Sequence, residues 1–239
     1  MTVKSGLIGC VVLGGWLMAG QVFAACTPPA VAGEDVSACK DWPAYPGLTI
    51  SASTRFEPGT TEALGTHDLD VSVLQDGQPT PIATYHQAAA FVMDGVYLKD
   101  LTLDTARYKL APELRAFGVR ATLANGSRLN PVEEHQLSLY VKEGATLRPV
   151  LRQLVVYEYG GEWDDNCAGQ RFEISRTVDI AKTSAYGYAD LIVKTQEKGT
   201  TSVVEGDTCE DKTTVRQPVL TTLHYDGKNY VLPPGLKGL

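Results

Sequence analysis

From position 48 onward the chain reads as short runs in which apolar and polar residues alternate, with turn chemistry between them. Successive side chains of an extended strand point to opposite faces, so each run predicts a strand with one buried face and one wet face. The pattern predicts strands over 48–55, 68–74, 82–86, 96–103, 115–123, 136–142, 146–159, 171–180 and 189–196, then a closing pair over 220–225 and 229–232. Asp76-Gly77, Asn125-Gly126, Glu143-Gly144 and Asp226-Gly227 fall between such runs and mark hairpin turns. In 171–180, Phe172, Ile174, Val178 and Ile180 share the face predicted to be buried, and Glu173, Ser175, Thr177 and Asp179 share the other.

Two stretches give mixed signals. Leu147, Val150, Leu151, Leu154 and Val155 have helical spacing, but Pro149 would sit inside that helix and Val155-Val156-Tyr157 favours extended chain, so 146–159 is read as a strand. Asn130-Pro131-Val132-Glu133 has the form of a helix start and predicts at most a short helix. The link 86–96 is apolar, so no hydrophilic linker divides the chain. The expectation is one all-β domain over 48–239, an antiparallel sandwich, barrel or small propeller-like unit. Residues 25–47 carry Pro28, Pro29, Pro43 and Pro46 without a periodic apolar pattern, and read as an N-terminal extension pinned by a disulfide.

The first 24 residues have a different texture. Lys4 precedes an apolar stretch from Leu7 to Met18 and small residues at Ala24 and Ala25, the order of a secretory signal peptide. A membrane anchor needs roughly 20 strongly apolar residues, and this stretch is shorter and glycine-rich. Cleavage after Ala24 removes Cys10 and leaves Cys26, Cys39, Cys167 and Cys209, an even set suited to an oxidising compartment. The competing chemistry treats Phe23-Ala24-Ala25-Cys26 as a lipobox; it would use Cys26 as a lipid anchor and strand one thiol, so the unlipidated form is favoured. Proximity favours the pairs Cys26 to Cys39 and Cys167 to Cys209 among the three pairings that four cysteines allow. A zinc site is disfavoured, since no C-x-x-C pair and no His at ligand spacing to a Cys is present. The expected location is periplasmic or secreted.

Composition supplies 44% apolar residues, enough for a proper core, and a net charge of −7 that grows more negative once Lys4 leaves with the leader. An acidic domain repels phosphate backbones and anionic lipid surfaces, which argues against nucleic acid as a partner.

Candidate chemistry is sparse. His67 with Asp68 and Asp70 offers a metal-type ligand set, weighed against a solvated strand start. Glu133-Glu134-His135 offers an acid/base group, weighed against a solvated turn. The most unusual local sequence is Trp163-Asp164-Asp165-Asn166-Cys167 after Gly160-Gly161: an aromatic and two carboxylates on a glycine-rich loop that a Cys167 disulfide would stiffen. Such a loop is a candidate recognition surface, because part of its ordering cost is met before binding; the rival is a structural turn with Trp163 in the core. Arg115, Arg120, Arg148 and Arg152 recur on strands and read as members of surface ion pairs, Arg152 with Glu158 among them. No nucleophile elbow, zinc-protease helix, P-loop or dinucleotide fingerprint occurs, and no metal or other cofactor is implied.

The phrases 103–108 (LDTARY), 114–120 (LRAFGVR), 189–193 (ADLIV) and 224–230 (HYDGKNY) resemble segments of exported, periplasmic β-rich proteins of Gram-negative bacteria. The closing phrase also looks like the last hairpin of small β-propeller-like envelope proteins, some of which inhibit lysozyme-type cell-wall hydrolases. The acidic calcium loop of many propeller repeats is absent, so the resemblance brings no calcium site and no functional residues. The expected compartment, the β scaffold, the acidic surface suited to a basic partner and the lack of a catalytic set point to a non-catalytic envelope protein that binds a protein partner, as an inhibitor or immunity factor against a cell-wall-active enzyme. An exported hydrolase or metal-dependent enzyme and a structural envelope component are the alternatives.

Overall fold

The computed structural model describes residues 26–59, 64–164 and 166–239, so the expected leader lies outside the described residues, as does Asp165. Within them the chain is all β. The strands are β1 (Ser37–Asp41), β2 (Leu48–Pro58), β3 (Leu64–Gln75), β4 (Pro81–Asp94), β5 (Tyr97–Asp104), β6 (Lys109–Ala111), β7 (Leu114–Arg115), β8 (Phe117–Ala124), β9 (Val132–Glu143), β10 (Thr146–Trp163), β11 (Gly169–Ala185), β12 (Tyr188–Glu205), β13 (Thr208–Val215) and β14 (Val219–Leu223). No helix of the described residues is long and apolar enough to cross a membrane.

Of the three architectures the pattern allowed, the chain forms a nearly closed barrel, in the order β1-β2-β3-β4-β10-β9-β8-β5, with β1 returning to lie beside β5. Pairing is antiparallel except between β4 and β10, which share a single parallel bridge at Thr84 and Thr146. Beyond that bridge the wall is completed differently. Gln153 Nε2 donates to the Ala90 carbonyl at 2.7 Å, and the C-terminal tail bonds to the free edge of β10 through Val155 N–H to Lys237 O and Leu239 N–H to Arg152 O. At the other seam Lys40 Nζ reaches the Leu103 carbonyl across β1 and β5.

Inside the barrel Ile50, Val71, Val73, Leu101, Phe117 and Val119 build one core. A second core lies outside β9 and β10, where Leu139, Leu151 and Leu154 meet Leu191, Val193 and Leu223 from β12 and β14. β10 separates the two. That position explains its misleading periodicity: its ladder with β9 carries register shifts between Pro149 and Leu151, Leu151 and Leu154, and Val155 and Tyr157, with Gln153 in the left-handed region at φ 45°. Each bulge swaps the faces, so apolar residues accumulate at spacings that mimic a helix.

Several expectations are corrected. The helix start at Asn130-Pro131 leads instead into strand β9, because Val132–Glu143 pairs with both β8 and β10. The apolar link 86–96 is largely strand, the second half of β4. The N-terminal extension, pinned by the Cys26–Cys39 disulfide as expected, also adds β1, paired with β2 from Ser37–Ser53 to Asp41–Thr49, and Trp42 in the barrel core. The closing pair is reduced to β14 and one bridge between Tyr225 and Tyr230. Phe172 falls outside the buried face of 171–180: it is 42% exposed, because the second core takes Val178 and Ile180 from β11 and does not reach Phe172.

Arg120 makes more than a surface pair. It meets Asp104 through Nε and Nη2 at 3.0 and 2.7 Å, while the Tyr108 hydroxyl donates to the same carboxylate at 2.8 Å. Burial opposes ionisation of Asp104, but these donors and the Ala106 N–H outweigh it and hold the carboxyl below its usual range. The phrases 103–108 and 114–120 are thus joined by one buried polar cluster. Arg152 does not take Glu158, which pairs with Lys237.

Candidate recognition site

Past Gly160 strand β10 leaves β9, and with β11, β12 and β13 it forms a four-stranded ribbon. Its outer strand β13 is exposed at every residue, so the ribbon is not held by a core of its own. Three local devices hold its tip. Asp164 Oδ1 accepts the N–H groups of Asn166 and Cys167 at 3.0 and 2.9 Å, closing the turn between β10 and β11. Cys167 and Cys209 form the expected disulfide, as do Cys26 and Cys39 near β1. The third device is aromatic cover: Trp163 lies over Gly169 and Phe172 over Gly160, each directly across the ladder. A Cβ on Gly169 would fall 2.6 Å from the Trp163 ring, and one on Gly160 2.6 Å from the Phe172 ring, so these glycines are what lets the rings lie flat on the neighbouring strand.

On this base four side chains form a row across the ribbon. The Arg171 guanidinium carbon sits 5.4 Å from the Trp163 ring centroid, and Arg171 Nη2 pairs with Asp211 Oδ2 at 2.6 Å. The second Asp211 oxygen accepts the Ser202 hydroxyl. That hydroxyl and the Arg171 guanidinium together hold the Asp211 carboxyl below its usual range. The loop between β8 and β9 docks alongside, with Trp163 N–H donating to Leu129 O at 2.9 Å. A groove of about 480 Å³ runs between that loop and the row, lined by Arg128, Leu129, Trp163, Asn166, Arg171 and the disulfide.

The sequence reading of this loop is therefore placed as follows. Trp163 is half-buried on the ribbon and belongs to neither core. Asp164 shapes the turn, and Asn166 is exposed on the groove. Asp165 lies outside the described residues. Arg171, Ser202 and Asp211 went unnoticed. For two of them a signal existed: pairing Cys167 with Cys209 brings Arg171, four residues beyond the first cysteine, near Asp211, two beyond the second.

The other candidates do not converge. Asp68 and Asp70 share a face of β3 as expected, but His67 points the opposite way into the barrel, 1% exposed and beside Phe56. Asp68 is bound by Arg55 Nη2 at 2.7 Å and by the Ala89 N–H at 2.9 Å, and Asp70 pairs with His86. Glu133 accepts from Lys99 and from His135 Nε2, whose ring lies 4.7 Å from that of Tyr157, while Glu134 accepts from Gln136. Among the described residues no three His, Cys, Asp or Glu side chains gather as a metal site.

Comparison with protein-family models, with curated proteins and with solved structures finds no match.

Proposed function

We propose that this chain is a non-catalytic binding protein of an exported, oxidising compartment, the periplasm or the exterior, and that it grips a basic protein partner through the Trp163 groove. The observation that carries the reading is the row Trp163, Arg171, Asp211 and Ser202, fixed in place by a disulfide and by paired charges on an otherwise exposed ribbon. Trp and Arg are the side chains that dominate binding energy at protein interfaces, and fixing them beforehand lowers the ordering cost. The tip also carries Glu162, Asp164, Glu205, Asp207, Glu210 and Asp211 against Arg128, Arg171 and Lys212, a surplus of acid that favours a cationic partner and speeds its approach. Two disulfides fit an oxidising compartment. Within this class the finer reading is an inhibitor or immunity factor against a cell-wall-active enzyme, which the resemblance of the closing phrase 224–230 favours.

The test is surface-immobilised binding of the oxidised protein to a basic lysozyme-type hydrolase. Trp163→Ala is expected to cost about 2 kcal/mol, roughly thirtyfold in affinity. Arg171→Ala should act similarly, and Asp68→Asn with Asp70→Asn should leave affinity unchanged. Binding that ignores Trp163→Ala would remove the groove from the reading; no binding at all would remove the inhibitor class.

A further inference from the structure

The two mouths of the barrel are finished differently. Where β1, β5 and β9 end, an aromatic plug fills the bore: the Trp42 ring lies 4.5 Å from Tyr45 and 5.0 Å from Phe117, and Tyr140 lies 5.7 Å from Phe117 and 5.2 Å from Tyr85. At the opposite mouth, where β2, β4 and β8 end and β5 begins, the described residues line an open cleft of about 650 Å³. Met93 and Leu98, both 5% exposed members of the barrel core, line it together with Phe56, Val96 and Tyr97. The floor of the cleft is thus the outer layer of the barrel core. Among the described residues, this cleft at the mouth opposite the plug has the size, lining and placement of a small-molecule site, which typically spans about 300–1,000 Å³ and is mostly apolar.

Charge at the rim narrows the ligand. Glu34 and Asp35 border the cleft, and one Asp35 oxygen is already engaged by the Phe56 N–H at 2.6 Å. The rim cation, Lys99, is turned toward Glu133 at 3.4 Å. An anionic head group therefore meets a net negative rim.

We propose that this mouth binds a small amphiphile with an apolar body and an uncharged or cationic head, the body entering over Met93 and Leu98 and the head resting against Glu34 and Asp35. The apolar body supplies the affinity by leaving water, and the rim carboxylates select the head. This site is separate from the Trp163 groove, so either reading stands or falls without the other.

The test titrates the oxidised full chain with N-phenyl-1-naphthylamine, an uncharged apolar fluorophore. Saturable binding at one site per chain is expected. Dodecyltrimethylammonium, below its micelle concentration, should displace the probe at least about tenfold more effectively than dodecanoate, a preference of about 1.4 kcal/mol. Val96→Trp fills the cleft and should weaken probe binding about tenfold or more; Tyr97→Arg, on a half-exposed side chain, reads the same loss if the first variant does not fold. Glu34→Lys should reverse the head-group preference, and Trp163→Ala should change nothing. Absence of saturable binding, indifference to both cleft variants, loss on Trp163→Ala, or stronger displacement by dodecanoate would each overturn the proposal.

Discussion

The barrel and the ribbon share strands and obey the same ladder geometry, yet they are held together by different forces. In the barrel every strand turns one face to an apolar interior, and Trp42, Phe117 and Tyr140 close its base with interlocking rings. In the ribbon β13 has no buried residue, Phe172 and Val204 stand exposed, and the tip depends on a disulfide, an aspartate-closed turn and the Arg171–Asp211 pair. The contrast teaches where each region's stability resides. Burial of side chains is cooperative and spreads through a core, whereas a cross-link and a few polar bonds act locally. A region fixed without a core leaves its aromatic and charged groups available at the surface, and that is the region carrying the recognition row.

The sharpest way to break the comparison is to remove a ring from the plug. Phe117→Ala deletes a side chain with 0% exposure that touches Trp42 and Tyr140, and is expected to cost about 3–5 kcal/mol, read as a lower denaturant midpoint for the whole chain. The counterpart is Cys167→Ser with Cys209→Ser. The lost loop constraint, 42 residues apart in sequence, corresponds to about 4 kcal/mol in the chain-entropy view. Because the ribbon has no core of its own, that loss should be concentrated in faster amide exchange over β11–β13, with barrel amides in β2, β3 and β8 largely protected. Equal loss of protection in both regions would erase the distinction drawn here.

The smallest expected effect concerns His67. Burial holds its imidazole below the usual range, although Asp35 and Glu34 pull the other way. The unfolded chain then binds a proton more readily than the folded one, so stability rises with pH through the window between the lowered folded value and the ordinary one, and is lost as pH falls through it. Denaturant titrations between about pH 8 and about pH 5 should show a steeper acid loss for the natural chain than for His67→Gln. An identical slope in both proteins would show that this histidine does not contribute to the acid loss of stability.

How much was legible follows from how much burial wrote into the sequence. β3 shows the signal at its clearest, since Leu69, Val71 and Val73 alternate inward. His67 continues that parity, and extending the strand one residue further back would have placed it inside rather than on a solvated start. β13 left no trace because TCEDKTTV is wet on both faces and has nothing to alternate. β1 was hidden among prolines, and its partnership with β2 became visible only through Trp42 and the ladder. Of the recognition site, Trp163 and its loop stood out as odd composition, whereas Arg171, Ser202 and Asp211 looked like ordinary strand polar residues until three strands aligned them.

By itself, then, the sequence determined most of the strands and favoured the two disulfides, because period-two burial and nearby cysteines are local facts. It determined the acidic surface too, since charge adds without reference to geometry. Only the tertiary structure decided that β10 would run between two cores, that one barrel mouth would be plugged by aromatic rings while the described residues at the other line a cleft, and that a tryptophan, two charges and a hydroxyl would line up across the ribbon. Those depend on bulges that swap faces and on pairing between strands distant along the chain, and neither leaves a period for the sequence to show.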